Sequence, residues 1–368
     1  MISNYIIELK HLFLTISYWI QILTIPLGIF LNLFSIYIYS RPNLNKSKSK
    51  TGFFYMNLCF WSINASIINM FIVGSSSLFG YDFSLINSLS CAFIMYFRRV
   101  VRAIPCWIDC LITLDRYLLI CHNHKFKLMT KKRYLSLILA FIIIGLMIIN
   151  QSNFHYQLYI SFDNTTFNYT LNVTKCETTR SNEFISDMIS CLFRSVLPSL
   201  IMITLSWFLI RKVYEKRLNI KKLGHHQIIH SVTLDLDTHK MTSGGGQHHD
   251  LLSTNPKLNL NRHHHISKET SFTLCIISMN LLFFFLNMPF SMTSIYLSVF
   301  HNILTIDDPS TESILQDFYI LTFDLTNLYY SLMFFSYLLF NKLFYKEVLI
   351  FLGQLKCLIF GVSLKNMK

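Results

Sequence analysis

The chain reads CAFIMYFRRVVRAIPCWIDCLITLDRY from Cys91 to Tyr117, and this stretch decides the fold that the sequence predicts. It is apolar over most of its length, begins with a cysteine and ends with the triplet Asp115-Arg116-Tyr117. At a rise of 1.5 Å per residue, Cys91 and Arg116 lie roughly 38 Å apart on one helix, which is enough to cross a bilayer. The stretch therefore predicts a membrane-spanning helix with a different chemical group at each end.

The composition of the whole chain is that of a membrane protein. Of its 368 residues, 52% are hydrophobic and only 14% are charged, whereas soluble domains contain about 25% charged residues. The net charge of +13 does not indicate a nucleic-acid partner, because Lys and Arg alternate with apolar spans rather than forming one basic face. No phosphate-binding loop, zinc-type cysteine pair or nucleophile elbow occurs, so we expect no enzymatic activity, no cofactor and no metal.

Seven apolar stretches are long enough to cross roughly 30 Å of hydrocarbon. We therefore predict an all-α membrane protein with a seven-transmembrane helix bundle. Its predicted parts are an extracellular N-terminus at 1–15, the transmembrane domain at 16–341, and an amphipathic helix with a cytoplasmic tail at 342–368. The predicted spans lie at 16–40, 52–78, 92–120, 133–153, 186–211, 270–299 and 315–341.

The uneven distribution of Lys and Arg between the loops predicts the orientation. These residues cluster after the first, third, fifth and seventh spans, whereas the alternate loops contain few of them. Because cytoplasmic loops carry the excess of Lys and Arg, the N-terminus is predicted to lie outside the cell and the C-terminus inside.

The loop at about 154–185, which this orientation places outside, supports the prediction independently. It contains three closely spaced N-glycosylation sequons, at Asn164, Asn168 and Asn172. One sequon, at Asn45, falls on the predicted inside. We therefore expect a glycoprotein whose sugars are attached to the external loop.

The landmarks of rhodopsin-like (class A) G-protein-coupled receptors recur along the chain in their usual order. Cys91 and the Asp115-Arg116-Tyr117 triplet resemble the two ends of the family's third helix. The stretch FFFLNMP at 283–289 resembles the aromatic-to-proline motif of helix six. Other matches are GIFLN at 28–32 in helix one, Pro198 in helix five, and Tyr337 followed by Phe344, where helix seven ends and a short amphipathic eighth helix begins.

Some motifs depart from the family pattern. Residues 333–337 read MFFSY where the family usually has Asn-Pro-x-x-Tyr, Ser62 stands at the position of the helix-two acid, and Ser206 stands where helix five often has Tyr. The sequence motifs of helices six and seven are more similar to those of divergent invertebrate peptide-receptor branches than to those of amine receptors. The departures affect residues of the family's usual sodium pocket. They also leave open the interpretation that the chain is a receptor-like protein that no longer couples to a G protein.

The resemblance implies a plasma-membrane receptor that binds an extracellular ligand and activates a heterotrimeric G protein. It implies that the Asp115-Arg116-Tyr117 triplet faces the G protein and that Tyr337 takes part in the same switch. Glu269, at the cytoplasmic start of helix six, is then the expected inactive-state partner of Arg116, although both charges could instead extend to the membrane surface. Pro198 and Pro289 are expected to act as helix hinges.

The resemblance also implies a disulfide between the outer end of helix three and the following external loop. Here it would join Cys91 to Cys176, which is the other cysteine predicted to lie outside.

Arginines inside the third and fifth spans are the most unusual feature of the sequence. Arg98, Arg99 and Arg102 lie roughly 10 to 16 Å below Cys91 at the helical rise, and Arg194 lies in the fifth span. Each arginine inside a helix costs about 2.5–3.5 kcal/mol on insertion scales, so these side chains are not expected to face lipid. In the family's arrangement they would line the ligand pocket, where amine receptors have an aspartate.

Two explanations of these arginines remain open. Asp187, Asp317 and Asp324 could neutralise some of them inside the bundle. Alternatively, the ligand carries negative charge, since guanidinium groups bind carboxylates through two parallel hydrogen bonds. A peptide, such as a neuropeptide, is the favoured ligand. The rival from another class is an anion transporter or channel, but such proteins often show repeated halves, and no repeat is visible in the sequence.

Asp109, in the middle of the third span, has three interpretations. It could supply the buried carboxylate that the second span lacks. It could be a protonated acid hydrogen-bonded in the core, or it could pair with another buried polar group such as Asn32.

The stretch at about 212–266 is polar, rich in histidine and of low complexity, and it predicts a disordered cytoplasmic loop. Its histidine clusters could bind metal, but no cysteine or acid spacing defines a site, so a flexible insertion is favoured.

Overall fold

The structure is a computed structural model that describes most of the chain. The predicted sequons at Asn164 and Asn168 lie outside the described residues, as do the side chains of Asn172 and Glu269 and those of the histidine clusters at 248–265. The described residues are 2–41, 50–71, 83–121, 132–162, 171–215, 218, 256–299 and 309–360.

The helices follow one another in the order that the apolar stretches predict. Within the described part of the chain, four helical segments are long and apolar enough to cross a membrane, namely Ile7–Ser40, Arg133–His155, Asn182–Glu215 and Ser271–Val299. The helices are α1 (Ile2–Ser40), α2 (Lys50–Asn69), α3 (Ser88–Cys121), α4 (Lys132–Ile149), α5 (Arg180–Cys191, the π-helical segment Leu192–Val196 and helical residues 197–215), α6 (Pro256–Val299), α7 (Pro309–Phe340) and α8 (Lys342–Phe360).

Several helix ends differ from the predicted boundaries. Helix α1 begins at Ile2, so the segment predicted as a separate N-terminus at 1–15 is continuous with the first span, because it contains good helix formers and no Gly or Pro. Helix α6 begins at Pro256, before the predicted loop end at 266, since proline is favourable at the first helical position. Helix α8 has 19 residues and is longer than the short helix predicted.

Helix α3 lies at the centre of the bundle. It contacts α2, α4, α6 and the π-helical segment of α5, while α1 packs against α2 and α7, and α6 packs against α7. Consequently nearly every residue of α3 between Val100 and Thr113 is buried. A charged side chain in this part of α3 must therefore find its partners inside the bundle.

A β-hairpin covers the outer end of α3. Strand β1 (Gln157–Phe162) pairs antiparallel with β2 (Leu171–Glu177). In β2, Cys176 forms a disulfide with Cys91 of α3, with the Cα atoms 5.7 Å apart. The hairpin that carries the predicted sequons is thus covalently attached to the central helix.

Helix α8 is attached to the end of α1. The guanidinium of Arg41 lies 3.5 Å from the Glu347 carboxylate and donates to Gln354 at 2.5 Å. Phe344, at the start of α8, is buried against Tyr337 and Tyr39. These contacts fix α8 at the same end of the bundle as Arg116.

Candidate functional site

Three of the four predicted pocket arginines converge on one aromatic ring. The guanidinium carbons of Arg98 and Arg102 lie 4.4 and 3.6 Å from the ring centroid of Phe323 in α7. That of Arg194 lies 6.0 Å from the same centroid and 4.5 Å from the Phe290 ring in α6. We call Arg98, Arg102 and Arg194 the arginine cluster. It joins α3, α5, α6 and α7 in the outer half of the bundle.

Two members of the cluster share a single hydrogen-bond acceptor. Arg102 and Arg194 both donate from Nη2 to the hydroxyl of Thr326, and the Arg194 bond measures 3.0 Å. The Nε atom of each has no hydrogen-bond partner among the described residues. At an effective dielectric constant of 20, two charges about 5 Å apart repel by roughly 3 kcal/mol. The cluster therefore places buried positive charges close together.

The acids that could neutralise the arginines are mostly bound elsewhere. Asp187 lies 2.7 Å from Arg99, so this one predicted pair forms. Asp317 lies 3.9 Å from Lys10, and Asp324 accepts hydrogen bonds from side chains of α1. Among the side chains that the structure describes, no carboxylate lies within ion-pair distance of the arginine cluster.

Arg99 faces a different environment from its neighbours. Besides Asp187, it donates to the hydroxyls of Ser186 at 2.6 Å and Tyr156 at 2.8 Å. Tyr156 immediately precedes the β-hairpin. Arg99 therefore connects α3, α5 and the segment that leads into the β-hairpin, and its charge is balanced within the protein.

The π-helical segment of α5 accounts for the position of Arg194. A π-turn inserts an extra residue into a helix and frees a carbonyl from the usual bonding pattern. The indole Nε1 of Trp107 in α3 donates to the Phe193 carbonyl at 2.9 Å. Within this segment Arg194 is 5% exposed. The segment ends just before Pro198, one of the two predicted hinges.

At the other end of α3, the predicted switch residues lie among aromatic side chains. The Arg116 guanidinium lies 4.0 Å from the Phe272 ring centroid in α6, and its Nε is 3.9 Å from Asp115. Tyr117 contacts Phe208 of α5. The predicted partner of Arg116, Glu269, has its side chain outside the described residues. Arg116 therefore contacts α6 one turn further along that helix.

Tyr337 occupies the centre of a tyrosine cluster at this inner end. Its ring centroid lies 4.8 Å from Tyr55 of α2 and 5.8 Å from Tyr39 of α1, and all three residues are buried. Tyr55 also contacts Phe272, the ring below Arg116. An aromatic chain thus joins Tyr337 to the arginine of the triplet.

A polar network that sequence reasoning missed connects α3, α5 and α6. The amide of Asn280 in α6 donates to Ser206 of α5 at 2.8 Å and to Thr113 of α3 at 3.1 Å. All three side chains are buried. Their only sequence signal is that they are polar residues within apolar spans. Pro289, the second predicted hinge, lies in α6 on the outer side of this network.

The environment of Asp109 distinguishes between its interpretations. Its carboxylate accepts a short hydrogen bond from the hydroxyl of Tyr329 in α7. Asn32 instead donates to the carbonyls of Gly28 at 2.8 Å and Tyr330 at 2.9 Å. The suggested partnership with Asn32 is therefore wrong, because Asn32 bonds backbone carbonyls. Asp109 is a buried acid that binds α3 to α7.

The arrangement of the described helices, with α3 at the centre of the bundle, agrees with a comparison with known families. The chain matches the family model of the 7 transmembrane receptor (rhodopsin family) over residues 31–336, and it belongs to this family. A search of curated proteins gave no match. The protein is therefore a multi-pass plasma-membrane receptor for an extracellular ligand that signals through G proteins, and not an enzyme. The predicted family and fold class are confirmed.

Proposed function

We propose that the ligand of this receptor carries negative charge, most simply as a peptide with an acidic side chain or a free carboxylate. The observation that carries the proposal is the convergence of Arg98, Arg102 and Arg194 on Phe323 without a carboxylate in reach among the described side chains. A buried guanidinium without a counter-charge is strongly unfavourable, and a bound carboxylate would supply one. A protonated amine would instead add to the repulsion.

Within this proposal the predicted ligand residues have unequal roles. Arg102 and Arg194 bind the acidic group, and Arg98, which is half-buried on the side nearer Cys91, lies along its entry. Arg99 contributes less charge because Asp187 balances it. Its proposed role is to hold the external loop next to the pocket through Tyr156.

The outer face of the receptor is proposed to be extracellular. In this orientation the N-terminus lies outside, the Cys91–Cys176 disulfide is in an oxidising environment, and Asn164, Asn168 and Asn172 are glycosylated. The basic loops then face the cytoplasm, where the G protein binds.

The inner face is proposed to contain the G-protein switch. Asp115, Arg116 and Tyr117 would contact the G protein, with Tyr337 moving as the bundle opens. Glu269 would hold Arg116 in the inactive state, and Pro198 and Pro289 would serve as hinges. Ligand binding shifts the equilibrium only to the extent that the ligand binds the open form more tightly than the closed form.

The test is a screen of acidic peptides and their amidated, uncharged counterparts against the expressed receptor, with nucleotide exchange on a G protein as the readout. We expect acidic peptides to stimulate exchange and the uncharged counterparts to fail. Ligand-driven anion flux without exchange would instead favour a transporter, and a peptide that binds without exchange would favour a receptor that no longer couples.

Variants of the cluster then test the binding site itself. We expect Arg102→Gln and Arg194→Gln to raise the half-maximal concentration of an active acidic peptide roughly tenfold or more, because hydrogen bonds to charged groups contribute about 1.5–3 kcal/mol. Direct binding of the labelled peptide separates the pocket from G-protein coupling: Arg133→Gln, at an exposed position of α4 on the proposed cytoplasmic side, is the control and should leave peptide affinity unchanged. Unchanged potency in both cluster variants, with normal surface expression, would contradict an acidic ligand.

A further inference from the structure

We propose that the arginine cluster holds a resident inorganic anion of single charge, such as chloride, when no ligand is bound. The inference rests on the proposed function in that both treat the cluster as an anion site. The inference adds the chemical nature of the anion that balances the charge of the cluster in the unliganded receptor. Binding of this anion makes the receptor sensitive to the halide concentration around it.

The first argument is the burial of the cluster. Arg102 is 1% exposed and Arg194 is 5% exposed, so bulk water does not solvate either guanidinium. Each has an Nε donor without a hydrogen-bond partner among the described residues. Their shared neutral acceptor, Thr326, also donates its own hydroxyl proton to the Phe323 carbonyl at 2.7 Å. One hydroxyl therefore serves two buried cations, which leaves donors available for an anion.

The second argument is that each acid near the cluster that the structure describes has another partner. Asp324 of α7 accepts hydrogen bonds from Ser17 and Gln21 of α1. Asp187 of α5 pairs with Arg99, and Asp109 of α3 accepts from Tyr329. Among the described side chains, none of these carboxylates lies within 4.0 Å of a guanidinium of the cluster, so a side chain would have to move before any of them could form an ion pair with it. A mobile anion from solution needs no such rearrangement.

The third argument concerns the kind of anion. The cluster is lined by the rings of Phe323 and Phe290, and Phe290 in turn packs on Tyr319. Guanidinium groups stacked on an aromatic face direct their N–H donors sideways, within the guanidinium plane. Such a site offers a few strong donors among apolar surfaces. It suits a monovalent, weakly hydrated anion, whereas sulfate or phosphate would need many more donors to replace its hydration shell.

Thermal unfolding of the purified full-length receptor in lipid nanodiscs tests the inference. The midpoint is measured in sodium chloride, sodium bromide and sodium gluconate at equal ionic strength. Binding to the folded state alone predicts a saturable rise of about 2–4 °C in chloride, with bromide able to replace it and gluconate unable to do so. A midpoint that is the same in chloride and gluconate would overturn the inference.

Matched variants locate the effect. Arg194→Gln and Arg102→Lys should weaken or abolish the difference between chloride and gluconate. The double variant Arg99→Gln/Asp187→Asn removes an ion pair that includes an arginine of the same helix without leaving an unpaired carboxylate beside the cluster, and it should preserve the difference. Equal chloride dependence in all three variants would refute the assigned site. If a cluster variant fails to fold, saturable binding of radioactive chloride to the unaltered receptor, displaced by bromide, decides the question, and its absence refutes the inference.

The two proposals fail separately. Loss of acidic-peptide potency in Arg102→Gln without any chloride dependence would refute only the resident anion. Saturable chloride binding in a receptor that no acidic peptide activates would refute only the acidic ligand.

Discussion

Gly28 lies at a close contact between α1 and α7. A Cβ atom at this position would lie 2.7 Å from Oγ of Ser331 and 3.7 Å from Oγ of Ser66. The Ser331 hydroxyl is not free to rotate away without loss, because it donates to the Thr24 carbonyl at 2.8 Å. Gly28 thus allows a close contact of two helices that also brings Asn32 to the backbone of α7.

At the residue scale, we expect Gly28→Ala to lower the stability of the receptor by about 1–3 kcal/mol, the range for adding a methyl group to a packed core. Thermal unfolding of the purified receptor measures the change. Gly145→Ala is the matched control, because nothing lies within 4 Å of its added Cβ. There, alanine should be neutral or slightly stabilising, since it favours the helix. Equal loss at both positions would show that the contact with Ser331 is not the cause.

The pairing of Arg99 with Asp187 shows that arginines within one turn of the same helix can have different contact partners. Arg98, Arg99 and Arg102 follow each other closely in α3, yet among the described side chains only Arg99 forms an ion pair with a carboxylate. Its partner lies in α5 beside the external loop, whereas Arg102 points at α7, where Phe323 and Thr326 are the neighbours. The contribution of each arginine to the charge of the pocket therefore depends on the partner that its own side chain contacts.

At the scale of elements, α6 is held to the rest of the bundle on its inner side by Asn280. Its two hydrogen bonds reach different helices, to Ser206 of α5 and Thr113 of α3. An outward movement of α6 must break both. This network is neutral, so it constrains α6 independently of any ion pair between Arg116 and Glu269.

We expect Asn280→Ala to raise ligand-independent nucleotide exchange by up to roughly thirtyfold, because it removes two buried hydrogen bonds of about 1 kcal/mol each from the closed form. Basal exchange in membranes with equal receptor content is the measurement. Glu269→Ala should act in the same direction if the proposed lock exists. Asn64→Ala is the control, because Asn64 bonds only to the carbonyl of Phe60 in its own helix. No increase for Asn280→Ala would show that the network does not restrain α6.

At the scale of the whole molecule, the two ends of the bundle differ in how they are stabilised. The outer end has a disulfide, a β-hairpin and a buried cationic cluster. The inner end has stacked tyrosines and α8, with Arg116 against Phe272. This polarity matches a receptor that receives its ligand at one face and its G protein at the other.

The proposed orientation predicts which sequons carry sugar. Replacing Asn164, Asn168 and Asn172 together by Gln should abolish the decrease in apparent mass that endoglycosidase causes. Asn45→Gln should leave that decrease intact, because Asn45 lies on the proposed cytoplasmic side. Electrophoresis of the receptor expressed in eukaryotic cells provides the measurement. Loss of the shift on Asn45→Gln alone would reverse the orientation.

The ordered motifs from Gly28 to Phe344 and the alternation of apolar and basic segments were sufficient to predict the family and the helix bundle, because hydrocarbon thickness and charge constrain each span separately. Helix ends were less predictable. Local sequence did not mark where α1 begins or how far α8 extends, since the helices continue wherever good helix formers do.

The positions of four arginines along the chain were enough to predict that they lie inside membrane-spanning helices and that their charge must be balanced, namely Arg98, Arg99, Arg102 and Arg194. Only the tertiary structure decided which of them has a carboxylate partner, that Asp109 bonds Tyr329, and that Asn280 joins three helices. The physical reason is that helical spacing gives the depth of a residue and the face it shares with others on its own helix. The groups opposite that face come from helices that are distant in the chain. The packing of the bundle sets how each of these helices is rotated about its axis.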